Sequence, residues 1–599
     1  MPTLTNLPTL LIRLWHHLSR HRQRQFGLLL ILMLVSAFAE VVSLGAVLPF
    51  LSILISPERV FDYPVVASVA RSWNITSADQ LLLPLTVVFA TMAVIAGVIR
   101  IFLLWVSTRF AYTSGSDLSI KLYRHTLYQP YPIHLSRNSS AIISGIGKVD
   151  ATVNVLAMVL TLISSIVLLV AILLALVIID PAVAPITIIG FGVSYGSITW
   201  LSRRRLRRNS HCVAYERTQV IKALQEGLGG IRDVLLDGTQ PVYCDVYRQA
   251  DYRLRQALGN SSFIGGSPRF AMEALGIVLI STLAYGLSHQ AGGVATAIPV
   301  LGALVLGAQR LLPALHQSFN AWAIITSSHA SLADTIELLD QPLPAELIQS
   351  APMALPFQDA IRFKAVRFRY SSDAPWVLDD LNLTIPKGAR VGFVGSTGSG
   401  KSTILDLLMG LLPPTEGVLL VDGRPISGNH VRAWQRTIAH VPQNIYLADI
   451  SLAENIAFGV PREAIDLEKV QQAARQAQIA NFIESRSEGY NALVGERGIR
   501  LSGGQRQRIG IARALYKQAS VLVFDEATSA LDNVTEQSVM DAIEDLNRDL
   551  TILLVAHRLT TVQHCDTIVE LEHGRIVMQG SYEQLLERSQ SFRSMARAL

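Results

Sequence analysis

Val391-Gly-Phe-Val-Gly395-Ser-Thr-Gly-Ser-Gly-Lys401-Ser402-Thr403 decides the fold of the second half of this chain. A short apolar run reads as a buried strand, a glycine-rich turn follows, and an apolar helix begins at Ile404. Strand, loop and helix in that order are the context in which G-x-x-x-x-G-K-[ST] cradles phosphate. Gly395, Gly398 and Gly400, with Ser396, Thr397 and Ser399 between them, let the backbone bend until its N–H groups face a β-phosphate. The helix N-terminus adds partial positive charge. Lys401 is placed for the β- and γ-phosphates, Ser402 for Mg²⁺, and Thr403 completes the loop.

Downstream, Val521-Leu-Val-Phe-Asp525 is a hydrophobic strand ending in a carboxylate suited to Mg²⁺, and Glu526 follows directly. A carboxylate one residue past the metal ligand can polarise a water in line with the γ-phosphate. The reading for this half is an α/β P-loop nucleotide-binding domain.

The first half is different. Half of the 599 residues are hydrophobic and only 16% are charged, with a mean hydropathy of +0.36. Soluble chains average about 25% charged residues, so disorder, coiled coil and collagen are excluded and a membrane protein is favoured. The net charge of +5 is small for this length. It fits positive-inside bias rather than a nucleic-acid footprint. Cys212, Cys244 and Cys565 form no CxxC, which argues against a disulfide scaffold or a zinc site.

A span needs about 20 apolar residues, and uncharged runs place six: 26–54, 81–108, 153–179, 182–201, 268–288 and 294–325. Arg13, Arg20, Arg22 and Arg24, and the run Ser202-Arg-Arg-Arg-Leu-Arg-Arg208, put the N-terminus and the loops 109–152 and 202–267 in the cytoplasm. Six spans return the chain there for its second half. The first run is too long for the h-region of a cleaved signal, about 7–15 residues. Val65, Val66, Val69 and Trp73 share one face of a short outer helix starting at Pro64, with a packed loop as the alternative. The division expected is 1–340 membrane, 341–358 a proline-marked linker, and 359–599 nucleotide-binding.

Other residues of the second half resemble a known family. Leu501-Ser502-Gly503-Gly504-Gln505 is similar to the ATP-binding cassette signature, and Tyr370 to the adenine-stacking aromatic ahead of the P-loop. Gln443 matches the Q-loop, Val494-Gly-Glu-Arg-Gly498 the exporter segment, Ser529-Ala-Leu-Asp532 the D-loop, and His557 the switch histidine. Six spans ahead of one cassette resemble half-transporter exporters, which work as dimers. The resemblance implies ATP and Mg²⁺ as cofactors, with Ser402, Gln443 and Asp525 around the metal. It implies Glu526 and His557 as catalytic, and a homodimer in which residues 501–505 of one subunit cover the ATP of the other. The loops near 135–150 and 225–238 are the coupling segments it implies.

Cargo is read from charges inside the spans. Arg100, Arg269 and Arg310 interrupt apolar runs, and a central arginine facing lipid costs about 2.5–3.5 kcal/mol or more. They are expected either to line a cavity for an anionic headgroup or to pair structurally, Glu40 and Glu273 being the partners at hand. Ser267-Pro-Arg-Phe270, Gln309-Arg-Leu-Leu-Pro313 and Glu40 ahead of Val47-Leu-Pro-Phe50 look like bacterial flippases of lipid-linked oligosaccharides. The implied cargo is a polyprenyl-pyrophosphate-linked glycan or related glycolipid, moved across the cytoplasmic membrane. Lipid A or phospholipid flippase, drug exporter, peptide exporter and a regulatory or channel-like ATPase stay open. Nucleic acid is not an expected partner.

Overall fold

The computed structural model describes residues 6–45, 78–179, 183–288, 311–343, 352–525, 536–537, 549–555 and 559–597. The outer segment 63–73, Arg310, Glu526, Asp532 and His557 lie outside them. The chain divides into two units, one of residues 1–129 and 136–342, the other of Pro130–Leu135 and Leu343–Leu599.

The first unit is all helix among its described residues. Three helical stretches, Arg20–Ser43, Thr86–Leu127 and Ser139–Ala175, are long and apolar enough to cross a membrane. Helices Val183–Gly229 and Pro268–Ser288 cover the predicted fourth and fifth spans, and residues 311–327 continue the sixth. The stretches read as cytoplasmic loops are mostly helical too. Ala78–Leu127 has 50 residues, about 75 Å at 1.5 Å each, against a hydrocarbon core of about 30 Å. Hydropathy marks only the part of such a helix that lies in lipid, so its polar continuation was invisible to it.

The helix Leu7–His17 buries Leu10 and Leu14, and Leu18 follows at the same spacing. These three pack with Leu118, Leu122, Leu332 and Ile336. One turn further, Arg13 Nε donates to Asp340 Oδ2 at 2.8 Å, and His17 Nε2 lies 2.5 Å from Asp340 Oδ1. Lys121 Nζ, 3.1 Å from His17 Nδ1, holds the ring from its other side. The start and the end of the unit are thus tied together. Deeper in the unit, the buried Lys148 donates to Asp334 at 2.6 Å.

In the second unit the strands are β1 (Ala360–Phe368), β2 (Leu378–Pro386), β3 (Arg390–Gly395), β4 (Glu416–Val421), β5 (Arg424–Pro425), β6 (Ile438–Val441), β7 (Val521–Asp525), β8 (Thr551–Val555), β9 (Thr567–Glu572) and β10 (Arg575–Gly580). They form a four-stranded sheet, β2-β1-β4-β5, and a six-stranded sheet, β10-β9-β3-β8-β7-β6. In the second sheet β6, β7, β8, β3 and β9 run parallel. Parallel strands are covered on both faces, and β7 and β8 are accordingly unbroken apolar runs. Leu355 and Phe357, inside the stretch read as linker, pack into the hydrophobic core beside Trp434. Pro130–Leu135, just ahead of the stretch 135–150, groups with the second unit.

Candidate nucleotide site

Four parallel strands deliver the predicted residues to one edge of the sheet. β3 ends at Gly395, β7 at Asp525, β8 at Val555 and β6 at Val441. The ends of β6, β7 and β8 lie within one residue of each other, Asp525 pairing with Val555 and Phe524 with both Leu554 and Val441, and β3 runs two residues further, Phe393 pairing with Val555. Ligands of open α/β sheets bind beyond the carboxyl ends of the strands. Gln443, Glu526 and His557 are each within two residues of such an end in sequence.

The glycine turn is built for close approach. Gly395 has φ 148° and Gly400 φ 102°, both in the left-handed region. A Cβ on Gly395 would run into the Leu571 carbonyl oxygen, and one on Gly400 would lie 2.7 Å from Leu378 Cδ2. Gly400 is also the residue before helix Lys401–Leu408. Lys401 is buried and folds back over the loop, donating from Nζ to the carbonyls of Gly395 at 2.8 Å and Ser396 at 3.0 Å. Ser402 is exposed on the first turn while Thr403 is buried. A loop with no room for a side chain at Gly395 or Gly400, an ammonium held across it and an exposed hydroxyl at the helix start fit the phosphates and metal of a nucleotide.

Tyr370 offers a flat surface beside the loop. It is 57% exposed, meets Phe368 edge to face at 5.0 Å, and its hydroxyl is 3.4 Å from Thr403 Oγ1. That link gives Thr403 a positioning role the sequence reading did not assign. Gln443 is exposed just past β6.

The signature residues begin the helix Gly503–Tyr516. Ser502 Oγ accepts from the Gln505 N–H at 3.2 Å, and Gln505 Oε1 accepts from the Ser502 N–H at 2.9 Å. This capping box follows from S-x-x-Q, a signal present in the sequence. It satisfies one orphan donor of the helix and leaves the Ser502 hydroxyl hydrogen to point elsewhere. Leu501 is buried, and Gly503 and Gly504 carry further helix N-terminal amides.

Asp406, on the helix that follows the glycine turn, was not singled out in the sequence. Burial, and then the charge on Asp525, push its carboxyl up to about 6. An unfolded Asp titrates near 3.9. A raised carboxyl stabilises the fold fully below that unfolded value, and the contribution is lost as pH rises through about 6. Asp406→Asn is therefore expected to flatten the melting temperature between about pH 4 and 6. Thermal melts of wild type and variant across that range check it, and parallel slopes would remove the coupling to Asp525. The spacing Ser402-x-x-x-Asp406, one helical turn, was the available signal.

Comparison with known proteins agrees with this geometry. Residues 378–529 match the ABC transporter family model. The chain is 31% identical over 488 residues to an ATP-dependent lipid A-core flippase of Hahella chejuensis, covering 80% of this chain and 81% of that one. It is 32% identical over 420 residues to one of Alkalilimnicola ehrlichii, covering 68% and 69%. A solved structure of a bacterial Atm1-family ABC exporter with ATP bound superposes with a TM-score of 0.78 at 25% identity, over 96% of this chain and 98% of that one.

Proposed function

Because the chain belongs to the ABC transporters of exporter type, with a helical membrane domain fused to a cassette that couples ATP hydrolysis to transport, we propose that its cargo is an anionic glycolipid. The cargo we favour is a polyprenyl-pyrophosphate-linked oligosaccharide or a related glycolipid, moved across the cytoplasmic membrane. Lipid A-core is the second reading, favoured by the names of the relatives. The coarser statement, an ATP-driven lipid exporter, holds for both.

One observation supports the anionic cargo. Arg100 and Arg269 lie in or beside apolar stretches of their helices, yet their side chains are 50% and 60% exposed. Arginine facing lipid is costly, so these cations are best accommodated by a polar cavity or a partner subunit. Each has a carboxylate near it: Glu40 is 3.9 Å from Arg100, and Glu273 is 2.8 Å from Arg269. The two expectations for these arginines therefore combine, since pairing lowers the cost of holding a cation in the membrane. Arg310 is proposed to join them.

We further propose that the N-terminus, the cassette and the C-terminus are cytoplasmic and that the working form is a homodimer. ATP with Mg²⁺ would be held by Lys401 and the 395–403 loop, with Ser402, Gln443 and Asp525 around the metal, Tyr370 on the base, Glu526 and His557 acting in hydrolysis, and Asp532 at the subunit contact. Proteoliposomes carrying labelled polyprenyl-diphosphate glycan, lipid A-core or phosphatidylglycerol test the cargo. Arg100→Ala and Arg269→Ala are expected to reduce flipping of the anionic glycolipid while ATPase persists. Phosphate contacts by arginine are roughly twice as strong as neutral hydrogen bonds, and Lys should rescue only in part because it lacks the bidentate fork. ATPase and flipping that decline together, with a lower melting temperature, would leave these residues a structural role only.

A further inference from the structure

A cavity of about 370 Å³ lies in the membrane unit between helices Val183–Gly229 and Pro268–Ser288 and residues 311–327. Tyr195, Arg269, Met272, Glu273, His316 and Gln317 are among its lining residues. Ligand pockets run from about 300 to 1,000 Å³, so this one has room for a single ring rather than a chain of them.

Its polar groups are unusually arranged for an apolar helix bundle. Tyr195 is 8% exposed, and its hydroxyl has no hydrogen-bond partner among the described residues. The same is true of the shielded Nδ1 of His316. Orphaned polar atoms in such a setting are costly unless something else partners them. The Tyr195 ring packs against that of Phe319, with centroids 5.9 Å apart. Gln317 Oε1 accepts from Ser165 Oγ at 3.4 Å and is anchored from a different helix. Arg269 Nε donates to Glu273 Oε1 at 2.8 Å.

That last contact bears on the ligand. Among the described residues Arg269 is the guanidinium that lines the cavity, and Glu273 beside it offsets its charge, so an anion entering here would meet a carboxylate as well. A neutral group with many hydroxyls meets no such penalty. Each sugar hydroxyl both donates and accepts, and the cavity supplies both roles: Glu273 accepts, Arg269 donates, and Tyr195 and His316 can do either. Met272 and the neighbouring Leu312 and Pro313 give an apolar wall for the C–H face of a ring.

We propose that this cavity is a sugar-recognition subsite, in which the orphaned Tyr195 hydroxyl and His316 imidazole, with the Arg269–Glu273 pair, bind the hydroxyls of one ring of the cargo. It rests on the glycolipid reading above. The sugar is thereby recognised next to the anionic headgroup, with Arg269 at the boundary of the two, and it can come from a polyprenyl-linked glycan or from lipid A-core.

Tyr195→Phe is the decisive variant, because it deletes a hydroxyl that makes no hydrogen bond among the described residues. In proteoliposomes of the full chain, the ratio of glycolipid to phosphatidylglycerol flipping is expected to fall about two- to tenfold, the worth of one hydrogen bond. The melting temperature should stay level or rise. His316→Ala should lower the same ratio. Polyprenyl-diphosphate disaccharide and lipid A-core are run as separate arms, and the arm sensitive to Tyr195 identifies the source of the sugar. An unchanged ratio in both arms for both variants overturns the subsite while leaving a glycolipid exporter standing. Wild-type protein that flips phosphatidylglycerol but neither glycolipid overturns both.

Discussion

Glu526→Gln is expected to bind ATP normally and to hydrolyse it about 10²–10⁴-fold more slowly, the usual loss when a positioned base is removed. The chain direction supports the role. Asp525 closes β7 at the edge where β3 presents the phosphate loop, and Glu526 is the next residue in sequence. Gln keeps the shape and the hydrogen-bonding ends but cannot take a proton from water. The variant should accumulate as a nucleotide-bound dimer, visible as ATP retained after gel filtration. Turnover within a few-fold of wild type would remove Glu526 from the chemistry.

The second large effect concerns Ser502. Asp caps a helix as well as Ser does, so Ser502→Asp should keep the helix Gly503–Tyr516 while setting a carboxylate where a phosphate must approach. Homodimers of Ser502→Asp and of Lys401→Ala should each lose hydrolysis by about 10²-fold or more. The informative species is the mixed dimer of the two chains. If the signature serves the opposite subunit, the Ser502→Asp chain contributes an intact phosphate loop and the Lys401→Ala chain an intact signature, so one complete site is restored. If it serves its own chain, no complete site exists and the mixed dimer stays inactive. Purification through two different affinity tags isolates that species, and its ATPase rate decides between the two arrangements.

The cassette was legible because its chemistry is local. A phosphate loop needs glycines, a lysine and a hydroxyl within nine residues, and Gly395 to Thr403 spell it out. The coupling of Asp406 to Asp525 and the Tyr370–Thr403 contact were not legible. Their significance arises from elements the fold brings together, β7 beside the loop helix in one case and the end of β1 in the other. The membrane half shows a different limit. Apolar runs fall on helices where the structure describes them, but the long polar continuations of Ala78–Leu127 and Val183–Gly229 carry no hydropathy signal. The carboxylates beside Arg100 and Arg269 were in plain view as Glu40 and Glu273, the second one helical turn from its arginine. The orphaned hydroxyl of Tyr195 was not, since an unmet hydrogen bond has no signature in sequence.

The tie of Arg13 and His17 to Asp340 sets a schedule for biosynthesis. The contacting residues are 327 and 323 positions apart. At about 5–20 residues per second, a ribosome takes roughly 15–65 s to travel from one end of that tie to the other. Throughout that interval Leu10, Leu14 and Leu18 are made but lack Leu332 and Ile336, which are still to be synthesised. The first helix emerges as a loose amphipathic end, and the membrane surface is the natural place for it to wait. The fastening comes last, when Asp340 leaves the ribosome, so a message truncated before that codon yields spans that insert but cannot be locked.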